Sequence, residues 1–287
     1  MTLEQQTFDL SRPSEWRGGV IFASPHSGCH YPDWFLVESR LDPLLLRSSE
    51  DAFVDRLIAP ALDHGAVLMT ARVPRSVVDL NRGPEEIDPL VVSGVAPAAL
   101  SPRIMAGLGV IPRVVSQGRP IHDRPIPRAE AQQRIDRLWR PYHDALSALI
   151  DEAVERFGGA ILIDMHSMPR DALAHLPRPR PDFVLGDRNG VSAARQISAG
   201  VAEAVTAEGF RLRRNSPFSG AYITAHYGRP RRNVHVVQLE MDRSLYMNET
   251  LVQPRADFGV FAQRFGRIVA RLADLRPDAC DSAIAAE

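Results

Sequence analysis

The sequence contains no lysine, so all 34 residues counted as Lys+Arg are arginine. Without lysine, the chain has no residue that can form a Schiff base with pyridoxal phosphate or with a carbonyl substrate. The same absence excludes a Walker A phosphate-binding loop and the strand lysine of protein kinases. An arginine-rich codon bias also explains such a composition, so the missing lysines exclude functions without indicating one.

The chain also has few cysteines and almost no net charge. The two cysteines, Cys29 and Cys280, lie near opposite ends of the 287 residues, so we expect no disulfide framework and predict a cytoplasmic protein. The formal net charge of −1 gives no support to binding of nucleic acid or of an anionic membrane. We also expect neither a secretory signal nor a membrane-spanning segment. The sequence leaves the oligomeric state open.

Short apolar runs alternate along the chain with stretches of helical periodicity. We predict strands at residues 20–23, 66–71, 160–163, 183–185 and 234–239, a short one at 76–80, and helices at 44–62, 129–157, 191–208 and 258–275. Residues 83–128, rich in proline and glycine, are predicted to form a long irregular excursion over one face. This alternation predicts one α/β domain over residues 1–287, with three layers around a central mixed, largely parallel sheet.

Three residues of the types that bind metals follow predicted strands. His26 follows the strand at 20–23, His166 that at 160–163, and Glu240 that at 234–239. Open α/β sheets place functional residues just past the carboxyl ends of their strands. An acidic pair, Glu50 and Asp51, lies near the start of the first predicted helix. Two histidines and a carboxylate form a donor set of catalytic zinc, which keeps a further position for water.

The same residues have structural explanations. A histidine after a strand is often a hydrogen-bonded core residue, and an acidic pair near a helix start often serves capping and the helix dipole. Asp164, two residues before His166, suits a position behind the imidazole that orients it through its second ring nitrogen. The two histidines are far apart in the sequence and no compact HExxH motif occurs, so spacing alone leaves both explanations open.

A second group of polar residues lies in the segment RSVVDLNR at residues 75–82. Arg75, Asn81 and Arg82 are close enough in sequence to gather around an anionic ligand. A guanidinium binds a carboxylate with two parallel hydrogen bonds, and an arginine directed at a scissile carbonyl stabilises the oxyanion. Alternatively, the arginines pair with Asp79 and with the acidic residues at 85–86.

Several motifs together resemble the N-formylglutamate amidohydrolases. In order, they are SPHSG at 24–28, the acidic pair at 50–51, RSVVDLNR at 75–82, IPRV at 111–114 with GRPI at 118–121, PYH at 141–143, DMHSM at 164–168, YITAHYGRP at 222–230 and QLEM at 238–241. The resemblance covers about residues 20–250 and implies a single-domain amide hydrolase with one zinc ion. It further implies a zinc carboxypeptidase-like fold, related to the aspartoacylase-type deacylases, with helices on both faces of the sheet.

The resemblance also implies roles for individual residues. His26, Asp51 and His166 match the metal ligands, with the adjacent Glu50 an alternative to Asp51. Glu240 matches the general base and acid. Similarity to the related deacylases implies that Arg75 polarises the carbonyl while Asn81 and Arg82 hold the substrate carboxylate. His226 matches a residue that contacts substrate or supports the site, and His143 matches a family position where packing is an equal alternative.

One position departs from the family pattern. Ala225 stands where the family reads arginine in a TRHYG motif, so an arginine to grip the substrate is absent unless Arg229, Arg231 or Arg232 replaces it. The segments around 111–114 and 120–123 resemble the broader family more than its members in histidine degradation.

The expected reaction is hydrolysis of N-formyl-L-glutamate to formate and L-glutamate, a small-molecule reaction of amino-acid metabolism. The alternatives are a deacylase or carboxypeptidase-like enzyme for another N-acylated amino acid or small peptide, and a non-catalytic carboxylate-binding protein.

Overall fold

The structure, a computed structural model, describes residues 6–95 and 101–277. Its strands are β1 (Phe8–Ser11), β2 (Val20–Ser24), β3 (Val67–Ala71), β4 (Val114–Val115), β5 (Arg119–Pro120), β6 (Ala160–Met168), β7 (Phe183–Gly186), β8 (Leu212–Arg214), β9 (Val234–Asp242), β10 (Met247–Asn248) and β11 (Gln253–Pro254). Its α-helices are α1 (Asp33–Glu38), α2 (Pro43–Arg47), α3 (Val54–Ile58), α4 (Pro102–Met105), α5 (Arg128–Arg134), α6 (Arg140–Phe157), α7 (Arg195–Thr206), α8 (Tyr222–Tyr227) and α9 (Phe258–Ala273). Cys29 is an exposed free thiol, and Cys280 lies outside the described residues.

Seven strands form the central sheet in the order β1-β3-β2-β6-β9-β7-β8. The four strands β3, β2, β6 and β9 run parallel, whereas β1 and β7 pair antiparallel to their neighbours and β8 runs parallel to β7. This confirms the mixed α/β sheet. In the β6–β9 ladder, His166 lies opposite Glu240 and Asp164 opposite Gln238. Four polar residues are therefore neighbours at the carboxyl ends of the two central strands.

Helices cover both faces of the sheet, which confirms the three layers. One apolar core contains Leu162 of β6 with residues of α6, and the other contains Ile161 of β6 with residues of α7 and α9. Because successive side chains of a strand alternate between its faces, Asp164 and His166 lie on the same face as Leu162. The face of the sheet that α6 covers is thus apolar along the first half of β6 and β9 and polar along their second half.

The prediction of one continuous helix at 44–62 is wrong for the middle of that range. Helix α2 ends at Arg47 and α3 begins at Val54, with a loop between them in which Phe53 has a left-handed φ of 69°. The backbone N–H of Asp51 donates to the carbonyl of His26 at 2.9 Å, which brings this loop to the end of β2. The break therefore places Asp51 beside the sheet rather than on a helix.

The strand predicted at 76–80 is also wrong, because this segment forms turns in which Val77 N–H donates to the carbonyl of Pro74. The helix predicted at 129–157 is continuous but contains a π-helical turn, Ile135–Trp139. Pro141 has no N–H to donate to the carbonyl four residues earlier, and we attribute the wider turn to it.

Strands β6 and β9 are longer than predicted. They stay paired as far as Met168 and Asp242, so His166 and Glu240 lie within strands and not after them. Their position at the carboxyl-terminal end of the sheet is unchanged. The excursion predicted at 83–128 is irregular apart from α4, β4, β5 and a 3₁₀ turn in the described part. Among the described residues, no helix is long and apolar enough to cross a membrane.

Candidate active site

Three buried side chains that can bind a metal meet at the carboxyl end of the sheet. His26 follows β2, Asp51 lies in the α2–α3 loop, and His166 lies in β6; each is at most 3% exposed. Asp51 Oδ2 is 2.9 Å from His166 Nδ1 and 3.5 Å from His26 Nδ1. One possible ligand atom from each residue lies within 4.8 Å of the others, so the three could hold a metal ion.

The chemistry of this cluster suits a cation. His26 Nδ1 is buried and has no hydrogen-bond partner, although buried polar atoms are nearly always satisfied. The other ring nitrogens face carboxylates: His26 Nε2 lies 2.7 Å from Asp79 Oδ1, and His166 Nε2 lies 3.0 Å from Asp164 Oδ1. Histidines that bind metals commonly hold a carboxylate at the second nitrogen. These residues therefore fit a zinc-type site of two histidines and a carboxylate.

Burial and neighbouring groups shift the pKa values of Asp51 and His166 in opposite senses. Burial alone would raise the pKa of Asp51, but the hydrogen bond with His166 and the close approach of His26 hold it well below its usual range. Burial would lower the pKa of His166, yet the charge of Asp164 and hydrogen bonds to Asp164 and Asp51 raise it well above its usual value. The opposite directions of these two shifts favour a charged pair of Asp51 and His166, and a metal held by both residues would compete with the proton of His166.

Glu50 does not belong to this cluster. Its carboxylate accepts hydrogen bonds from Tyr31 Oη at 2.8 Å and from Arg47 Nε at 3.1 Å. Burial raises the pKa of Glu50 against the opposing charge of Arg47. Of the two carboxylates that the sequence leaves open, Asp51 is the one that points to His26 and His166.

Glu240 lies on β9 opposite His166 and faces the same cavity. Gln238 Nε2 donates to Glu240 Oε1 at 2.9 Å, while Gln238 Oε1 accepts from the backbone N–H of Ala221 at 3.1 Å. Burial raises the pKa of Glu240 to about 7, with His166 lowering it and the charge of Asp51 raising it. A carboxylate with a pKa near neutrality is suited to accept and return a proton.

The RSVVDLNR segment supplies three further polar side chains. Arg75 Nη2 donates to Asp79 Oδ2 at 2.6 Å, so the predicted alternative of pairing with Asp79 applies to Arg75. Asn81 Nδ2 lies 3.2 Å from Asp164 Oδ2 and 2.9 Å from His166 Nε2, and Asn81 Oδ1 accepts from the N–H of Ile223 at 2.8 Å. The Asn81 amide is thus engaged by protein groups, and its predicted contact with substrate stays a prediction.

His226 is not part of the cavity wall. It is exposed on α8, where its ring stacks on Tyr222 with a centroid distance of 4.9 Å. Its predicted contact with substrate has no support in this position. His143 is buried, with Nδ1 at 2.9 Å from Tyr227 Oη and Nε2 at 2.9 Å from the carbonyl of Leu80. Of the two roles left open for His143, these contacts match packing beneath the RSVVDLNR segment.

The three arginines that could replace the family arginine do not lie at the cavity. Ala225 is exposed on α8, and Arg229 Nη1 donates to its carbonyl at 3.1 Å. Neither Arg229 nor Arg231 nor Arg232 lines the cavity. The departure from the family pattern therefore lies on the surface of α8 and not at the predicted metal ligands.

The polar cluster opens into a cavity of about 630 Å³ whose wall includes the cluster, Arg75, Arg82 and Glu240. Sequence reasoning assigned no role to three other residues in this wall: Arg103, Gln238 and Arg243. Arg243 Nη2 donates to Asp51 Oδ1 at 3.0 Å. Because Arg243 directly follows β9, the rule that strand ends carry functional residues would have found it. No sequence signal marks Arg103, which lies on the short helix α4.

Comparisons with known proteins agree with this geometry. The sequence model of the N-formylglutamate amidohydrolase family matches residues 18–247. An N-formylglutamate deformylase of Pseudomonas putida is 34% identical over 242 residues, which cover 80% of this chain and 82% of the relative. A second N-formylglutamate deformylase, from Pseudomonas aeruginosa, is 36% identical over 203 residues, covering 69% and 71%.

A crystal structure of an N-formylglutamate amidohydrolase from Ralstonia eutropha has a similar fold. Its TM-score is 0.87 at 34% identity, and the match covers 93% of this chain and 97% of that one. Both the sequence and the fold therefore match over most of their length, and the range 18–247 matched by the family model spans the positions of the buried cluster. The chain belongs to the N-formylglutamate amidohydrolase family, and it is a hydrolase that acts on an amide bond.

Proposed function

We propose that this protein hydrolyses N-formyl-L-glutamate to formate and L-glutamate in a zinc-dependent reaction. The observation that carries the proposal is the buried His26–Asp51–His166 cluster, which shares one cavity wall with Glu240. The substrate follows from two relatives of 34% and 36% identity that are named N-formylglutamate deformylases.

His26, Asp51 and His166 would hold the zinc ion through His26 Nδ1, Asp51 Oδ2 and His166 Nδ1. Zinc bound by such residues acts as a Lewis acid and lowers the pKa of a water to about 7. Asp79 and Asp164 orient the two imidazoles from behind, because each carboxylate lies within 3.0 Å of the second ring nitrogen. Asn81 supports the same arrangement through Asp164.

Glu240 would move the proton during hydrolysis. Its buried carboxylate would accept a proton from the attacking water and return it to the departing amine nitrogen. Gln238 fixes one of its oxygens by the hydrogen bond to Oε1. Arg75 would stabilise the negative charge that develops on the amide oxygen, a contribution that is typically worth about 10²–10³ in rate. Arg82 would bind a carboxylate of the substrate.

Formate release from N-formyl-L-glutamate by the purified protein, measured together with its zinc content, tests the proposal. Glu240→Gln keeps the shape of the side chain but cannot accept the proton, so we expect kcat to fall by about 10²–10⁴ with unchanged zinc content. Glu50→Gln is the matched control, because Glu50 is also buried but points to Tyr31 and Arg47. Full activity of Glu240→Gln at unchanged zinc would show that the base is assigned wrongly.

A panel of acylated amino acids separates the formyl reaction from its nearest alternative. We expect activity to fall from N-formyl to N-acetyl to N-succinyl-L-glutamate if the enzyme is built for the formyl group. A preference for a larger acyl group would instead identify a deacylase of another N-acyl amino acid. We also propose the cytoplasm as the site of the reaction, since Cys29 is an exposed free thiol and such thiols persist in reducing compartments.

A further inference from the structure

Four arginines line the cavity, and they differ in how their charge is balanced. Arg75 forms an ion pair with Asp79 at 2.6 Å, and Arg243 forms one with Asp51 at 3.0 Å. Within residues 6–95 and 101–277, neither Arg82 nor Arg103 has an acidic partner at ion-pair distance. Two guanidinium charges in one wall are therefore left without a carboxylate.

Arg82 is the buried member of this pair, with 8% of its surface exposed. Its Nε donates to the carbonyl of Leu108 at 2.9 Å and its Nη1 to the carbonyl of Asn81 at 2.8 Å. These bonds fix the plane of the guanidinium but use only two of its five N–H donors. Burial lowers the pKa of Arg82, and the charges of Arg75 and Arg103 lower it further against the charge of Asp79.

Arg103 approaches the same cavity from the excursion between β3 and α5. It lies on α4, which is anchored by the buried side chain of Ile104 and capped by Ser101 Oγ at 3.3 Å from Ile104 N. The Arg103 side chain is exposed, and its Nη2 donates to the carbonyl of Gly220 at 3.2 Å. Four of its five N–H donors have no other described partner and are available to a ligand.

Like charges that face one cavity without counter-charges raise the free energy of the ligand-free protein. An anion with two carboxylates removes this cost, because each guanidinium can bind one carboxylate with charge-assisted hydrogen bonds. N-formyl-L-glutamate carries two such groups, one next to the scissile amide and one at the end of its side chain. The number of unpaired arginines thus equals the number of carboxylates in the proposed substrate.

We propose that Arg103 binds the side-chain carboxylate of the substrate and so selects an acidic amino acid, while Arg82 binds the carboxylate next to the amide. This assignment rests on the proposed function and deepens it. Arg82 directly follows Asn81, whose amide contacts His166 and Asp164, whereas Arg103 reaches the cavity from α4, and we assign the two carboxylates accordingly. The carboxylate beside the amide is held close to that centre by its own bonds, whereas the side-chain carboxylate extends away from it.

The test compares N-formyl-L-glutamate with N-formyl-L-glutamine, which has the same shape but no side-chain charge. We expect Arg103→Met to lower kcat/KM for the glutamate substrate by about 10- to 100-fold, the value of one charge-assisted hydrogen bond. The same variant should lower kcat/KM for the glutamine substrate much less, because an uncharged amide oxygen gains less from a guanidinium than a carboxylate does. Arg82→Met should lower kcat/KM for both substrates by similar factors, because both carry the carboxylate next to the amide.

Arg113→Met is the structural control. Arg113 lies on the same excursion and donates to the carbonyl of Met105 at 3.0 Å and to Asp88 at 2.8 Å, but it does not line the cavity. Its loss should affect both substrates alike. Equal losses for both substrates in Arg103→Met would overturn the assignment, since they would show a structural role of Arg103, and so would unchanged kinetics.

A binding experiment keeps this test independent of the proposed reaction. If the wild-type enzyme hydrolyses neither substrate, the proposed function is wrong, but calorimetric titration with L-glutamate and L-glutamine still reports on Arg103. We expect Arg103→Met to lower the affinity for L-glutamate by about 10- to 100-fold and that for L-glutamine much less. Equal affinities of wild type and Arg103→Met for L-glutamate would refute the assignment directly.

Discussion

Replacing Arg243 with methionine should weaken binding of the proposed zinc ion without removing any of its three proposed ligands. Arg243 is 6% exposed, and its Nη2 donates to Asp51 Oδ1, the oxygen that faces away from the two histidines, at 3.0 Å. The carboxylate is thereby held with Oδ2 towards His26 and His166. A hydrogen bond to a charged group contributes about 1.5–3 kcal/mol. Since about 1.4 kcal/mol is tenfold in affinity, we expect the Kd for zinc to rise by about 10- to 100-fold.

The assay is competition for zinc between the protein and a chromophoric chelator at neutral pH. Arg47→Met is the matched control, because Arg47 pairs at 3.1 Å with Glu50, the carboxylate next to Asp51 in sequence. Removing Arg47 leaves the contacts of Asp51 intact, although the buried carboxylate of Glu50 then keeps only its hydrogen bond from Tyr31, which also costs stability. We therefore expect the zinc affinity of Arg47→Met to stay close to that of the wild type.

The opposite ranking would refute the reasoning. If Arg47→Met loses zinc affinity and Arg243→Met does not, the metal is held by Glu50 and the assignment of Asp51 is wrong. Arg243→Met also leaves the buried charge of Asp51 without its arginine, which is costly to a fold. The denaturation midpoints of the metal-free proteins must therefore be measured beside the affinities, so that a loss of folding is not taken for a loss of binding.

Three further predictions concern the base, its charge and the metal. Gln238→Leu removes the 2.9 Å hydrogen bond to Glu240, so kcat should fall while zinc content stays constant; a change in zinc content alone would contradict this. In the metal-free protein, the pKa of Glu240 is about 7 in the folded state, against the ordinary value of 4.5 that applies to the unfolded chain. The stability that Glu240 contributes is therefore fully present below pH 4.5 and is lost as the pH rises through 7. Denaturation of Glu240→Gln against wild type should therefore show a stability difference that grows in favour of the variant over this range, and a constant difference would refute it. Chelation of the metal should lower the Tm of the wild type, and a single domain should unfold in one transition. Asp51→Asn should remove the increase in Tm that added zinc causes.

The long elements were predictable because burial on both faces of a sheet leaves continuous apolar runs. Strands β2, β3, β6, β7 and β9 all follow this rule, and each is within a few residues of its predicted position. Edge strands β1 and β8 were not predicted, since FDLS and LRR contain too few apolar residues to show a pattern. Their strand geometry comes from pairing with β3 and β7, a tertiary effect that local sequence does not show.

The candidate site was predictable where a residue acts through its position at a strand end. His26, His166 and Glu240 are of this kind, and the structure brings them into one cavity wall. Asp51 is different, because its place depends on a helix break that the apolar periodicity of residues 44–62 conceals. Arg103 depends on where the long excursion folds back over the sheet, which no spacing in the sequence determines.

The absence of lysine has a local consequence at this site. Arg243 contacts three groups at once, since Nη2 donates to Asp51, Nη1 to the carbonyl of Ser48 at 3.0 Å and Nε to Ser167 Oγ at 3.1 Å. A planar guanidinium spans such partners, whereas an ammonium is a single compact charge. Arg243→Lys should therefore keep the charge beside Asp51 but lose the bridge between the loop and β6. If Arg243→Lys binds zinc as tightly as the wild type, the positive charge alone orients Asp51. If it binds zinc as weakly as Arg243→Met, the several hydrogen bonds of the planar guanidinium are needed to orient Asp51.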